Sequence, residues 1–157
     1  MSQTPATAAL DAAGVPYRCT EYELGAAEEG YGAALVAALG LDPDTVGKTL
    51  VAELDDGRHV VAVVPVSGSL DLKALARAAG AKRAAMADPA VAERLTGSVV
   101  GGISPLGHRR PLPVFVDELL CVDDEVHVSA GRRGLELSLA PDDLVRAAGA
   151  TVAPIAT

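Results

Sequence analysis

The sequence predicts an α+β fold with a mixed, strongly curved β-sheet and helices packed outside it. Segments with helical periodicity alternate along the chain with branched, apolar segments typical of strands. Short turn sequences join at least two pairs of strands, which implies antiparallel hairpins, while helices between other strands permit parallel pairing. No internal repeat, low-complexity tract or linker divides this pattern, so we expect residues 1–157 to form one domain.

The first part of the chain predicts a helix, a strand and a second helix. Thr4-Pro5 is typical of a helix start, and Gly14 is typical of a helix end. Apolar and polar residues alternate over residues 15–22, which predicts a half-buried strand. Glu28-Glu29 then start a second helix that ends at Gly40, because acidic residues favour the positive end of the helix dipole.

The middle of the chain predicts a hairpin followed by two helices. Residues 46–54 and 59–66 are apolar and rich in branched side chains, and residues 55–58 between them have the chemistry of a tight turn. Helices are expected over residues 71–79 and 88–97, since each segment opens on an aspartate and is closed by a glycine.

The last part of the chain predicts three strands and a final helix. The strands cover residues 112–116, 126–130 and 135–139, and the turn over residues 131–134 joins the last two into a hairpin. A final helix is expected over residues 141–149, where proline opens the segment and glycine ends it.

The loop over residues 101–107, Gly-Gly-Ile-Ser-Pro-Leu-Gly, is the strongest candidate for a functional site. Glycine permits close approach of the backbone to a ligand, and Ser104-Pro105 fixes the exit, so several N–H groups can point at one oxygen. The spacing is not the dinucleotide-binding fingerprint. From local chemistry alone, a tight turn between two strands is the alternative interpretation.

Lys48 is the second candidate, because it lies within a predicted strand among apolar neighbours. Gly47-Lys48-Thr49 looks like the end of a phosphate-binding loop, but the glycine required five residues earlier is Asp42. Nucleotide hydrolysis is therefore not supported. Lys48 is either a charged residue that protects an edge strand or a cation that points into a pocket, and its surroundings leave both interpretations open.

Composition excludes several classes of function. No apolar run approaches the roughly 18 residues of a membrane span, and the start of the chain lacks a basic flank with an apolar block, so we expect a cytoplasmic protein without a membrane partner. Cys19 and Cys121 have no CxxC partner and the three histidines lack metal spacing, so we expect no disulfide, metal or cofactor. No GxSxG motif is present, so a hydrolase of this sequence would take its nucleophile from water or from the substrate.

Basic residues are concentrated in the middle of an acidic chain whose net charge is −8. Residues 1–70 hold three Lys/Arg against ten Asp/Glu, whereas residues 71–133 hold nine against eight. Three adjacent basic pairs either converge on a phosphate-bearing ligand or lie in solvated turns: Lys82-Arg83, Arg109-Arg110 and Arg132-Arg133. Because aromatic residues are only 3% of the chain, contact with a nucleic acid is expected to be limited to one end of it.

Several short motifs follow one another in order along nearly the whole chain. They are Gly40-Leu41-Asp42-Pro43 with Lys48-Thr49-Leu50, Leu70-Asp71-Leu72-Lys73, Met86-Ala87-Asp88-Pro89, Thr96-Gly97 with residues 100–107, and Val128-Ser129 with Gly131 and Arg133-Gly134-Leu135. Together they resemble the YbaK/EbsC family of trans-acting aminoacyl-tRNA editing proteins, specifically its bacterial Cys-tRNA(Pro) deacylase branch. The resemblance implies a curved mixed β-sheet of barrel character surrounded by helices, a fold shared with the editing domain of bacterial prolyl-tRNA synthetases.

The resemblance also implies an activity, hydrolysis of the ester in mischarged Cys-tRNA(Pro), and a set of site residues. The expected catalytic residues are Lys48, Gly101 and Gly102, where the lysine holds the terminal phosphate or adenosine and the glycine N–H groups stabilise the oxyanion. The expected substrate-binding residues are Tyr22, Tyr31, Thr49, Ile103, Ser104, Pro105, Ser129 and Glu136. In this family the cysteine thiol of the substrate attacks its own carbonyl. The expected partners are the 3′ end of aminoacyl-tRNA(Pro) and prolyl-tRNA synthetase, with no DNA.

One departure and several alternatives bear on specificity. Glu136 stands where the family usually has an aspartate, and it adds a methylene near the pocket. Lys48-Thr49 and Ile103 favour cysteinyl over alanyl esters. A broader aminoacyl-tRNA deacylase, a non-catalytic module that binds tRNA or a synthetase, and a small-molecule binder remain alternatives, and only a deacylase releases free amino acid.

Overall fold

The structure is a computed structural model that describes residues 3–23 and 31–157, with only the backbone described for residues 31–34. The described α-helices are α1 (Pro5–Ala13), α2 (Tyr31–Leu39), α3 (Leu72–Ala78), α4 (Pro89–Thr96) and α5 (Pro141–Ala148). The described strands are β1 (Arg18–Glu21), β2 (Gly47–Leu54), β3 (His59–Pro65), β4 (Ala84–Met86), β5 (Val114–Asp117), β6 (Val126–Ser129), β7 (Leu135–Leu139) and β8 (Thr151–Ala153). Short 3-10 helices cover Pro43–Thr45 and Glu118–Cys121.

Local capping chemistry sets the ends of the helices. The Thr4 side chain accepts a hydrogen bond from the N–H of Thr7, and Gly14 closes α1 with a left-handed φ of 70°. The predicted ends of α3, α4 and α5 are confirmed to within one residue. The predicted start of the second helix at Glu28-Glu29 lies outside the described residues.

The described strands form two sheets. One has five strands in the order β4-β2-β3-β5-β8, and the other has three in the order β1-β7-β6. The β2–β3 hairpin is antiparallel, whereas β3 pairs with β5, and β5 with β8, in parallel. The predicted α+β class and the mixed pairing are therefore confirmed. Strands β4 and β8 were not predicted, because three residues are too few to show a strand period.

The barrel expected from the resemblance is not confirmed. An isolated parallel bridge between Val46 and His127 connects the start of β2 to β6, so the two sheets meet there. Within the described chain β1 and β4 each have one paired neighbour, and no pairing between them closes a barrel. The two sheets therefore meet at Val46, and the described strands do not close into a barrel.

The alternation of side chains along β2 positions the candidate residues on both faces of the large sheet. Val51 packs into the core between the two sheets, whereas Ala52 and Leu54 pack into a second core beneath Leu75 of α3. Lys48 shares the face of Ala52 and Leu54. In the described part of the chain, no helix is long and apolar enough to cross a lipid bilayer.

Candidate active site

A cleft of about 320 Å³ brings the start of β2 together with the glycine loop and the facing ends of β6 and β7. We call it the Lys48 cleft. Its described lining residues are Leu35, Gly47, Lys48, Thr49, Leu50, Val66, Val100, Gly101, Ile103, Ser129 and Glu136. Six of the predicted site residues lie in this lining: Lys48, Thr49, Gly101, Ile103, Ser129 and Glu136.

The other predicted site residues lie elsewhere or are not described. Tyr22 lines a separate depression with Arg132 and Arg133, and its N–H donates to the carbonyl of Gly134 (3.0 Å). The side chain of Tyr31 lies outside the described residues. The resemblance placed these two tyrosines in the substrate pocket, whereas the register of β1 against β7 places Tyr22 beside the Gly134 turn.

Ser104, Pro105 and Gly102 shape the glycine loop and are not part of the cleft lining. Ser104 is 2% exposed, and its Oγ accepts a hydrogen bond from the N–H of Leu106 (3.2 Å). Its carbonyl lies 2.7 Å from Nε2 of His108. These contacts hold the exit of the loop in one conformation, as expected for a segment that must present its backbone to a ligand.

Two side chains anchor the entrance of the glycine loop at Val100. Arg133 donates from Nε (3.1 Å) and Nη2 (2.6 Å) to the carbonyl of Val100. Glu93 of α4 accepts from the N–H of Val100 through Oε2 (3.0 Å). The sequence placed Arg133 in a basic pair and in a family motif, but nothing in its local pattern reveals a partner 33 positions away.

Ser129 ties the same loop to β6. Its Oγ donates to the carbonyl of Gly102 (3.0 Å) and accepts from the N–H of Gly131 (3.1 Å). The hydroxyl is therefore engaged on both sides. Ser129 is a support for the loop wall of the cleft, and its bonding leaves it poorly suited to act as a nucleophile.

The two predicted oxyanion donors differ in their bonding. The N–H of Gly102 donates to the carbonyl of Val99 (2.9 Å) and closes a turn. Within the described chain, the N–H of Gly101 has no hydrogen-bond acceptor. A side chain is excluded at Gly102, since a Cβ there would lie 2.7 Å from the backbone nitrogen of Arg133. Gly101 is thus the available oxyanion donor. Gly102 permits the glycine loop to approach the backbone of Arg132 and Arg133 closely.

The buried polar groups that lack partners are concentrated in the Lys48 cleft. Among the described residues, the buried side-chain atoms without a hydrogen bond are Thr49 Oγ1 and both carboxyl oxygens of Glu136. Leaving such groups unpaired costs about 1–3 kcal/mol each, so they mark a place where a ligand would supply the missing partners. Glu136 is 1% exposed, and burial raises its pKa to about 8.

Lys48 is a half-buried cation in this cleft, and within the described chain it forms no ion pair with a carboxylate. Its placement favours the interpretation of a cation that points into a pocket. Of the two alternatives for the three basic pairs, convergence on one ligand applies to two pairs at most. Arg133 and Arg109 both lie against the loop that begins at Gly97, whereas Lys82-Arg83 lie beside Asp55 at the opposite end of β2.

Comparison with known proteins identifies the family. Residues 30–147 match the model of the aminoacyl-tRNA editing domain. The chain belongs to the aminoacyl-tRNA editing domain family. The resemblance found from the sequence motifs is therefore confirmed.

Individual relatives of this editing domain are deacylases by name. The chain is 37% identical over 144 residues to EbsC of Enterococcus faecalis, a proposed Cys-tRNA(Pro)/Cys-tRNA(Cys) deacylase, with 91% of this chain and 87% of that protein covered. It is 35% identical over 92 residues to the multifunctional Ser/Thr-tRNA deacylase ProXp-y of Escherichia coli, where 58% of this chain and 55% of that protein are covered. The crystal structure of a proposed trans-editing enzyme for prolyl-tRNA synthetase superposes with a TM-score of 0.85 at 27% identity, covering 100% of this chain and 99% of that one.

Proposed function

We propose that the protein is an aminoacyl-tRNA deacylase that hydrolyses the ester of mischarged Cys-tRNA(Pro), acting in trans beside prolyl-tRNA synthetase. The observation that carries the proposal is the group of unpaired polar atoms in the Lys48 cleft, Thr49 Oγ1 with the two carboxyl oxygens of Glu136. An aminoacyl ester supplies the matching groups, an amine that donates and a carbonyl that accepts.

The size and wall of the cleft suit the aminoacyl end of a tRNA. A volume of about 320 Å³ is at the lower end for small-molecule sites, enough for one amino acid and its ester but not for a whole nucleotide chain. Much of the wall is apolar, formed by Leu35, Leu50, Val66, Val100 and Ile103. A small, weakly polar side chain such as that of cysteine fits such a wall without leaving a polar group unpaired.

Charge then orients the substrate. Glu136 accepts the α-amino group, because an ammonium beside a buried carboxyl restores its ionised form. Lys48, which lines the same cleft, holds the ribose or the terminal phosphate. The free N–H of Gly101 donates to the ester carbonyl, and one such donor is worth roughly 3 kcal/mol in a transition state.

The nucleophile comes from the substrate. In the described chain, no cysteine or histidine lines the Lys48 cleft, and Ser129 is already bonded on both sides. The cysteine thiol attacks its own ester carbonyl, the bond to the ribose oxygen breaks, and the thiol proton passes to that oxygen. Water then opens the resulting thiolactone to free cysteine. Orienting an internal nucleophile in this way is worth about 7 kcal/mol or more.

A second candidate, a deacylase of broader range, is favoured by the similarity to ProXp-y. In that case water is the nucleophile, and serine or threonine esters are substrates. The substrate thiol distinguishes the two functions, since a serine ester matches cysteine in size but has a much weaker nucleophile.

The test is release of free amino acid from Cys-tRNA(Pro), Ala-tRNA(Pro) and Ser-tRNA(Pro), with and without prolyl-tRNA synthetase. Wild type is compared with Lys48→Ala and with Arg146→Ala, a matched loss of one positive charge on α5 away from the cleft. The proposal requires cysteine release that Lys48→Ala removes and Arg146→Ala leaves intact. Equal release of serine assigns the broader function, and no release from any ester overturns both.

A further inference from the structure

A basic groove lies along α3 and the segment that follows it. It has a volume of about 580 Å³. Its described lining residues are Leu72, Lys73, Arg77, Ala81, Lys82, Arg83 and Ala84. Four of these seven residues are cations, although the chain as a whole carries a net charge of −8.

The four cations are available to a partner. Lys73, Arg77, Lys82 and Arg83 are exposed, and none of them is ion-paired within the described part of the chain. The neighbouring acid, Asp55, is occupied with backbone N–H groups, those of Lys82 (3.1 Å) and Arg83 (3.2 Å). The neighbouring Arg58 pairs with Asp56 and also donates to the carbonyl of Ala79 (2.9 Å).

The groove and the Lys48 cleft lie near opposite ends of β2, and the Lys48 side chain is on the face of β2 that borders α3. Alternate residues of β2 share a face, so Lys48 and Leu54 project to one side, the side that α3 covers. Lys48 lies near the start of β2, whereas Arg83 lies beside its end, where the carbonyl of Arg83 accepts from the N–H of Asp55. Six residues of strand separate Lys48 from Leu54, which is about 20 Å.

We propose that this groove binds the phosphate backbone of the tRNA acceptor stem while the aminoacyl ester occupies the Lys48 cleft. The inference rests on the proposed function. A separation of about 20 Å spans several nucleotides, so a strand whose 3′ end lies in the cleft can reach the groove. Unpaired Lys and Arg side chains on a concave surface are the usual sequence-independent contacts to phosphates. The groove thus supplies affinity for the RNA, and the cleft supplies selectivity for the amino acid.

The side chains can be changed without disturbing the fold. Lys82 and Arg83 contribute to the packing of β2 through their backbone N–H groups, which a substitution retains. Lys73 and Arg77 lie on the exposed side of α3. The test variants are Lys73→Gln/Arg77→Gln and Lys82→Gln/Arg83→Gln. The matched control is Arg18→Gln/Arg146→Gln, which removes the same charge from surfaces away from the groove.

The first measurement is binding of uncharged tRNA(Pro) between 50 and 200 mM salt. Each groove variant is expected to weaken binding by about tenfold or more and to lower the slope of log K against log salt by about 1–2, since fewer counterions are released. The control is expected to behave as wild type. Equal losses in the control and the groove variants overturn the proposal, because they indicate only a general effect of net charge.

The second measurement compares deacylation of whole aminoacyl-tRNA with that of an aminoacylated 3′ fragment too short to reach the groove. The groove variants are expected to raise KM for the whole tRNA about tenfold, with unchanged kcat, and to leave the fragment unaffected. Lower activity of the groove variants on the fragment overturns the proposal. So does a groove variant that binds tRNA normally but binds prolyl-tRNA synthetase less well. A protein that binds tRNA through the groove but cleaves no ester refutes the proposed function alone.

Discussion

Arg133 and Val100 form the contact that positions the glycine loop, because two nitrogens of one guanidinium converge on one carbonyl oxygen (3.1 and 2.6 Å). The fork geometry of arginine makes this possible, whereas a lysine offers a single point of charge. Val100 directly precedes Gly101, so the contact controls where the free N–H of Gly101 lies relative to the substrate carbonyl.

Arg133→Lys is expected to lower kcat for deacylation by about tenfold with a smaller change in KM, because a hydrogen bond to a charged group is worth about 1.5–3 kcal/mol. Single-turnover deacylation measures the effect. Arg132→Lys is the control, since the Arg132 side chain is ion-paired with Glu21 (3.6 Å) and the substitution leaves its backbone contact with Gly102 in place. Unchanged kcat in Arg133→Lys would contradict the positioning role.

Gly102→Ala is expected to destabilise the fold by several kcal/mol and to abolish activity. The new Cβ would lie 2.7 Å from the backbone nitrogen of Arg133 and 2.9 Å from the carbonyl carbon of Arg132, and backbone atoms cannot move aside as a flexible side chain can. Urea unfolding measures the loss. In Gly80→Ala the new Cβ meets no atom within 4 Å, so only the cost of its positive φ remains, about 1 kcal/mol. Equal losses in the two variants would refute the steric argument.

The pH dependence of stability is expected to reflect Glu136. Burial raises its pKa in the folded protein to about 8 from the ordinary value of 4.5. The folded state therefore binds more protons between these values, and the free energy of unfolding falls as pH rises through them. Glu136→Gln removes this dependence, so we expect the variant to exceed wild type by about 2–5 kcal/mol at pH 9 and to match it near pH 4.

Denaturant unfolding from pH 4 to pH 9 checks this expectation. Glu118→Gln is the control, because Glu118 is an exposed glutamate in a 3-10 helix. A difference between Glu136→Gln and wild type that does not change with pH would show that Glu136 is not a buried acid with a raised pKa.

Thr49→Val is expected to separate stability from function. Valine has nearly the same shape and removes a buried hydroxyl that has no partner, so the free energy of unfolding is expected to rise by about 1 kcal/mol. The same change removes a group offered to the substrate, so kcat/KM is expected to fall by about tenfold. Thr45→Val is the contrasting variant, since Thr45 Oγ1 donates to the carbonyl of Asp42 (2.7 Å) and its loss destabilises the fold. Lower stability in Thr49→Val would contradict the assignment of an unpaired hydroxyl.

The ends of most elements could be predicted from the sequence because the groups that determine them are close in the chain. Thr4 and Thr7 cap α1, Asp88 caps α4 through the N–H of Ala90, and the β2–β3 hairpin follows from its turn residues. The family motifs predicted six of the residues that line the Lys48 cleft. The short strands β4 and β8 escaped prediction because their pairing, and not their own residues, makes them strands.

The tertiary structure alone decided which polar groups meet. Lys48, Gly101 and Glu136 come from distant segments, and the register of β7 against β6 decides that Glu136 faces the cleft without a partner. The register of β1 against β7 places Tyr22 beside Arg132 and Arg133. Within the glycine loop, the N–H of Gly102 donates to the carbonyl of Val99. Capping and turn signals are encoded within a few residues, whereas the bonding of a buried carboxyl depends on every segment packed against it. The sequence by itself therefore determined the family and most of the elements, and the packing of three distant segments decided the chemistry of the cleft.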